Sequence, residues 1–267
     1  MQPTVAVIGA GAMGEAIIRG LLRAGWDRDT VTAADTDHHK LQSLADDLGI
    51  QTAAVATDAV AGREVVVVVV KPNHVIEVVD AIAAVVSPSQ VVLSVAAGVP
   101  IATYERRLPG IPVVRSMPNT PALLGAGAAA IAAGTHAERA HLDKASAILG
   151  AVGVVVEVPE SLIDAVTAVS GSGPAYVFLL AEAMQASARN LGLDAAIAEA
   201  LVNATVRGAG RMLTETEVGA ASLRERVTSP NGTTAAALAV LEEGQFRDLV
   251  DRAITAARDR SAELGGS

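Results

Sequence analysis

Three segments of this chain carry residue types whose spacing suits chemistry. Gly9-Ala10-Gly11-Ala12-Met13-Gly14 follows the apolar run Val5-Ala6-Val7-Ile8, and two later segments, Ser170-Gly171-Ser172-Gly173-Pro174-Ala175-Tyr176 and Ser229-Pro230-Asn231-Gly232-Thr233-Thr234, combine hydroxyls with turn-forming residues. The first has the spacing of a loop that cradles a dinucleotide. Its glycines permit a tight turn and close approach of the backbone to a pyrophosphate, and the helix start that follows offers unpaired N–H groups and a partial positive charge. The same pattern also serves a glycine turn that only packs strand against helix.

The last segment is turn chemistry. Thr233 or Thr234 is expected to cap a helix beginning at Ala235, with consecutive main-chain N–H groups aimed at a carboxylate; a plain helix cap uses the same groups. In the middle segment the Ser-Gly-Ser-Gly stretch reads either as backbone brought close to a ligand, with Ser172 among the contacts, or as a linker before Pro174 starts a helix. Tyr176 is expected to pack.

Ligands of open α/β sheets lie beyond the carboxyl ends of the strands. The segments found there are Val70-Lys71-Pro72, Ala96-Ala97-Gly98 and Met117-Pro118-Asn119. Small residues and prolines suit a rigid wall for a nicotinamide, while Lys71 is open to three roles: proton donor, phosphate or ribose contact, or solvated side chain. Asp35 lies about 20 positions beyond Gly14, where a carboxylate bonds a ribose 2′-hydroxyl and repels a 2′-phosphate, which favours NADH. Equally, Asp35 or Asp37 caps the next helix, so the cofactor stays open between NADH and NADPH.

These segments need elements to hold them. From Val5 to about Glu157, short β-branched runs (Thr4–Ile8, Thr30–Ala34, Val65–Val70, Gln90–Val95, Val113–Ser116, Ala128–Ala132, Val154–Val158) alternate with helical stretches (Glu15–Ala24, His38–Leu48, Val75–Val86, Ala137–Leu149). That alternation predicts a doubly wound α/β domain over residues 1–160. Residues 161–267 read as helix after helix, with Pro174 in a first turn, Gly192 as a stop and Asp194 as an N-cap. Gly208 and Gly210 inside a long apolar helix suggest close passage of another helix.

Composition excludes several classes. The 267 residues are 51% hydrophobic but 2% aromatic, with a mean hydropathy of +0.42, more apolar mass than one compact monomer must hide, so a large subunit interface is expected. A net charge of −9 without a Lys/Arg run argues against nucleic acid and anionic membranes and leaves a small molecule as ligand. With no cysteine and no HExxH-type spacing among the histidines, no metal site is expected. The start Met1-Gln2-Pro3-Thr4 does not resemble a signal peptide and Val65–Val70 is too short to span a bilayer, so a cytoplasmic location is expected.

In order and approximate spacing, Arg115-Ser116-Met117-Pro118-Asn119-Thr120-Pro121, Val169 to Tyr176 and Val227 to Thr234 resemble the signatures of the pyrroline-5-carboxylate reductase family, over Val5 to about Arg260. The resemblance implies hydride transfer from NAD(P)H to the C=N carbon of 1-pyrroline-5-carboxylate, giving L-proline in the last step of proline biosynthesis. It implies an N-terminal Rossmann domain and an all-helical domain that interleaves with its twin in a homodimer, often within a ring of dimers. By the same resemblance Ser229 and the backbone of Gly232, Thr233 and Thr234 hold the substrate carboxylate, and the Thr234 hydroxyl faces the ring nitrogen as the catalytic group. Gly14 stands where many relatives carry alanine, Asn231 replaces a usual glycine, and Thr233 is one of several residues seen there. Asn tolerates the left-handed backbone that such a turn needs.

Two rival readings remain. A β-hydroxyacid or 6-phosphogluconate-type dehydrogenase uses a lysine from its helical half, whereas the lysines here are Lys40, Lys71 and Lys144, none of them in that half. A non-catalytic dinucleotide-binding redox sensor needs the first glycine loop but has no use for Ser229 to Thr234.

Overall fold

Consecutive valines that point alternately to opposite faces of a strand can all be buried only if both faces are covered. That condition is met at the centre of the sheet: Val65 and Val67 enter one apolar layer, Val66 and Val68 the other. The computed structural model describes residues 2–266. The strands are β1 (Val5–Ile8), β2 (Val31–Ala34), β3 (Gln51–Ala53), β4 (Val65–Val68), β5 (Val91–Ser94), β6 (Val113–Met117), β7 (Gly127–Ala133) and β8 (Gly153–Glu157). They form one sheet in the order β3-β2-β1-β4-β5-β6-β7-β8, parallel except where β7 runs against β6.

Helices α1 (Ala12–Arg23), α2 (His38–Leu48), α3 (Ala56–Val60), α4 (Val75–Ile82), α5 (Ile101–Glu105) and α6 (Arg139–Gly150) lie among the strands, and α7 (Ile163–Val166) follows them. Ile17, Ile18, Leu21, Leu41, Leu44, Ile148 and Leu149 from α1, α2 and α6 cover one face of the sheet. Val75, Val79, Ile82, Ile101, Tyr104 and Ile163 cover the other. The expected doubly wound sheet is therefore present. Three short elements were not expected: β3, a three-residue edge strand, and α3 and α5, of five residues each. The apolar run after Glu64 leaves the sheet at Val68 instead of Val70: the Val69 N–H makes the last bond to β1, at Ile8 O (2.9 Å), and Val69 O then lies against Gly9 of the glycine loop.

The remaining elements are α8 (Gly173–Asn190), α9 (Ala195–Glu215), α10 (Ala220–Arg226), α11 (Thr233–Glu243) and α12 (Phe246–Gly265). Pro174 stands in the first turn of α8, Gly192 has φ +94° after its end, and the Asp194 carboxylate accepts the Ala196 N–H at 2.8 Å as the α9 N-cap. Helix α9 runs unbroken through Gly208 and Gly210, and among the described residues no other part of the chain lies within 4 Å of where a Cβ on either would stand.

The chain divides compactly into Met1–Ser172 with Ala257–Ser267, and Gly173–Ala256. This division falls beyond residue 160, where the composition changes. Ile163 and Ala168 are buried in the first unit, and the chain's last turns return to it, with Ser261 Oγ donating to Asp164 Oδ1 at 2.7 Å. Within Gly173–Ala256, α8, α10 and α11 have no buried residue. Phe178 and Leu179 are each 66% exposed and Val240 68%, so these helices have apolar faces without a cover of their own. By length and composition alone, the helical stretch Glu160–Asn190 could also cross a bilayer.

One buried polar pair within the sheet unit makes stability depend on alkaline pH. Tyr104 is fully buried, its hydroxyl lies 2.6 Å from Ser94 Oγ, and burial pushes its pKa up to about 12. In the unfolded chain it ionises at its ordinary value of 10, so its contribution is complete below that pH and is lost as pH rises through the folded value. Denaturant titrations should find that stability falls from about pH 10 towards 12 more steeply in the parent than in Tyr104→Phe, which costs about 1 kcal/mol at neutral pH. Parallel pH profiles would contradict this.

Candidate active site

Parallel strands in register place their carboxyl ends on one edge. Ile8 is level with Ala34 and Val68, and Val68 with Ser94, so Gly9–Gly14, Asp35, Val70–Pro72, Ala96–Gly98 and the end of β6 at Met117–Asn119 all follow strand ends on that edge. The glycine loop is drawn tight there. Gly9 has φ +108°, and a Cβ on it would meet Val69 O at 2.6 Å; one on Gly14 would meet Gly9 O at 1.9 Å. Gly11 is the N-cap of α1 and supplies no side chain, leaving the first N–H groups of a twelve-residue helix unpaired at an exposed turn. Such a cradle fits a diphosphate, with both the close backbone approach and the helix-start donors that it needs.

Asp35 has a part the sequence did not reveal. Its Oδ2 accepts the Ala10 N–H at 2.7 Å and its Oδ1 the Asp37 N–H at 2.9 Å, so the carboxylate clasps the glycine loop from the end of β2. Capping of α2 falls to Asp37, which accepts from His39 N and Lys40 N, and these bonds hold its carboxyl below the usual carboxylate range. Of the other expected wall residues, Ala96 and Pro118 are buried, whereas Lys71, Pro72 and Ala97 are exposed. Gly98 takes a left-handed turn, φ +73°, beside Leu264.

Asn119 turns its side chain inward. Its Oδ1 accepts the Ala128 N–H at 2.9 Å, and its Nδ2 donates to Ser170 O at 3.2 Å and lies 3.3 Å from Ser170 Oγ. The segment that it holds is no flexible linker. Thr167–Gly171 is a π-helical turn, and the Ser172 N–H closes it on Thr167 O at 2.8 Å. Arg115, in the same motif as Asn119, is buried in β6 and pairs with Glu160 Oε1 at 3.0 Å, an oxygen that also accepts the Ile101 N–H. A cation inside an otherwise uncharged, buried strand was the signal for that pair.

Within the helical unit, the turn before α11 is the second cluster of donors. Asn231 takes the left-handed conformation at φ 60°, as its residue type allows, and Gly232 N–H donates to Ser229 O at 3.0 Å. Helix α11 starts at Thr233, two residues earlier than the expected Ala235, with Gly232 as N-cap. Neither threonine is therefore the cap; both stand in the first turn. A Cβ on Gly232 would lie 2.3 Å from Ser229 Oγ, so the serine hydroxyl rests against the bare helix start. No side chain caps α11, which leaves the N–H groups of Thr233, Thr234 and Ala235 open beside three hydroxyls. Among the described residues no cluster of His, Asp and Glu could hold a metal ion.

Comparison with known proteins matches both halves. Residues 160–264 fit the family model described as pyrroline-5-carboxylate reductase dimerisation, and residues 4–98 the one described as NADP oxidoreductase, coenzyme F420-dependent. The pyrroline-5-carboxylate reductase of Pseudomonas aeruginosa is 43% identical over 98% of this chain and 97% of its own length. The solved pyrroline-5-carboxylate reductase of Coxiella burnetii superposes with a TM-score of 0.96 at 37% identity, covering 99% of each chain. That of Plasmodium falciparum pyrroline carboxylate reductase with NADP bound gives 0.85 at 25% identity over 98% of each. An identity of this level from end to end, joined to the two donor clusters, makes this chain a member of the pyrroline-5-carboxylate reductase family.

Proposed function

We propose that this protein reduces 1-pyrroline-5-carboxylate to L-proline, the last step of proline biosynthesis, with NADH or NADPH as reductant. The observation that carries the reading is the uncapped start of α11, where open amides and hydroxyls meet the needs of one carboxylate in a chain 43% identical to reductases of that name. In this reading residues 1–160 hold the cofactor and 161–267 hold the substrate and the dimer interface.

The glycine loop Gly9 to Gly14 binds the pyrophosphate through main-chain N–H groups, and Asp35 both clasps the loop and faces the adenosine ribose. Val70, Lys71 and Pro72, Ala96 to Gly98, and the backbone of Met117 to Asn119 form the wall beside the nicotinamide. When bound, the reduced cofactor supplies the hydride that converts the protonated imine, C=NH⁺, to CH–NH. Ser229, Gly232, Thr233 and Thr234 hold the carboxylate at the positive end of α11. Ser172 completes the substrate contacts. The Thr234 hydroxyl hydrogen-bonds the ring nitrogen. Because a protonated imine is already electrophilic, the main task of these groups is to fix its carbon in line for transfer. A hydroxyl is a weak acid at neutral pH, so Thr234 orients first and passes a proton second.

The exposed apolar faces of α8 to α11 are the surface that a second copy covers, which assigns the Glu160–Asn190 stretch to a homodimer in place of a bilayer. We place the protein in the cytoplasm, without nucleic-acid or membrane partners, its dimers gathered into a ring.

Purified protein should oxidise NADH or NADPH when 1-pyrroline-5-carboxylate is added, with one proline formed per cofactor consumed; no turnover with either cofactor rejects the reading. Thr234→Ala should lower kcat by roughly ten- to a hundredfold with little change in cofactor affinity by direct titration. An unchanged kcat would remove the orienting role.

A further inference from the structure

Asn119 and Met117 flank Pro118 and hold the same turn from two sides. The Asn119 amide reaches Ser170 through its carbonyl and hydroxyl, and the Met117 methyl covers Gly171, where a Cβ would sit 2.5 Å from Met117 Cε. A π-turn is rare in itself and recurs at functional sites. Here it is held by the segment that follows β6. The turn ends in the bond from Ser172 N–H to Thr167 O. If it relaxed to α-helix, the backbone after it would rotate by about 100°, the advance of one residue, and the Ser172 hydroxyl would turn with it.

We propose that the Asn119 side chain is a positioning residue for the substrate: its Nδ2 holds the π-turn in the form that aims Ser172, while only its backbone belongs to the cofactor wall. The inference rests on the reading of the chain as a pyrroline-5-carboxylate reductase. It follows from the hydrogen-bond count of the side chain, whose acceptor goes to Ala128 and whose donor goes to Ser170. Each end of the amide thus has its own task. Oδ1 anchors the start of β7, and Nδ2 shapes the turn.

Asn119→Asp separates these tasks, because a carboxylate keeps the acceptor for Ala128 N–H and loses the donor to Ser170 O. Steady-state kinetics, cofactor titration and thermal unfolding at one protein concentration should be compared for the parent, Asn119→Asp and Asn119→Ala. Both variants should lose about tenfold in kcat/KM for 1-pyrroline-5-carboxylate while cofactor Kd stays within about twofold, and Asn119→Asp should unfold closer to the parent than Asn119→Ala does. If Asn119→Asp recovers kcat/KM together with stability, the role is structural and the proposal is overturned. A loss in cofactor affinity as large as the loss in kcat/KM overturns it as well, by putting the side chain on the cofactor. Should Asn119→Ala fail to fold, the Asn119→Asp kinetics decide alone. Parent protein without turnover would instead refute the functional reading beneath it.

Discussion

The first three N–H groups of an α-helix have no partner in the helix itself, and where no side chain caps them they must be met by water or by a ligand. This chain leaves that debt open at two places that bear on chemistry, the start of α1 after Gly11 and the start of α11 after Gly232. Asp37 caps α2 and Asp194 caps α9, while α4 and α10 also begin without a side-chain cap. What sets the starts of α1 and α11 apart is the motif around each, the glycine loop at one and the hydroxyls of Ser229, Thr233 and Thr234 at the other. A dinucleotide diphosphate and a small carboxylate are both anions, and bare helix starts bind anions without a lysine or arginine. This choice suits a protein of net charge −9.

Everything else serves the placement of those donors. The strands are short, four or five residues at the centre, and buried on both faces, so their ends are fixed by packing against two helical layers. Polar clasps finish what apolar packing begins. Asp35 holds the glycine loop, Ser116 Oγ donates to Ser94 O at 2.8 Å beside the buried Tyr104 pair, and Asn119 holds the π-turn. Each is a short side chain spending its hydrogen bonds on main chain or on another clasp, a rigid way to set backbone direction.

Much of this was legible in the residues. Valine runs flanked by charge announced buried parallel strands, and Pro174, Gly192 and Asp194 marked helix ends because each acts within one turn of chain. Legibility ended where a role depends on contact between distant residues. Asp35 read as a ribose ligand or a cap, since nothing in its neighbours tells of the Ala10 N–H across the sheet edge. The Ser-Gly-Ser-Gly stretch read either as backbone close to a ligand or as a linker, and the π-turn Thr167–Gly171 that leads into it was not foreseen because Met117 and Asn119 hold it from outside. Strand β3 was missed because three residues, two of them exposed, have no period to detect. The α11 cap was assigned to threonine by propensity, but Ser229 Oγ occupies the space against residue 232 that only glycine leaves free.

The most direct test of the account is to watch the α11 amides while a small carboxylate binds. Amide-resolved NMR of the cofactor-loaded protein titrated with L-proline should show its largest saturable shifts at Thr233, Thr234 and Ala235. Saturable binding of proline that leaves those three amides unmoved would contradict the claim that this helix start holds the substrate.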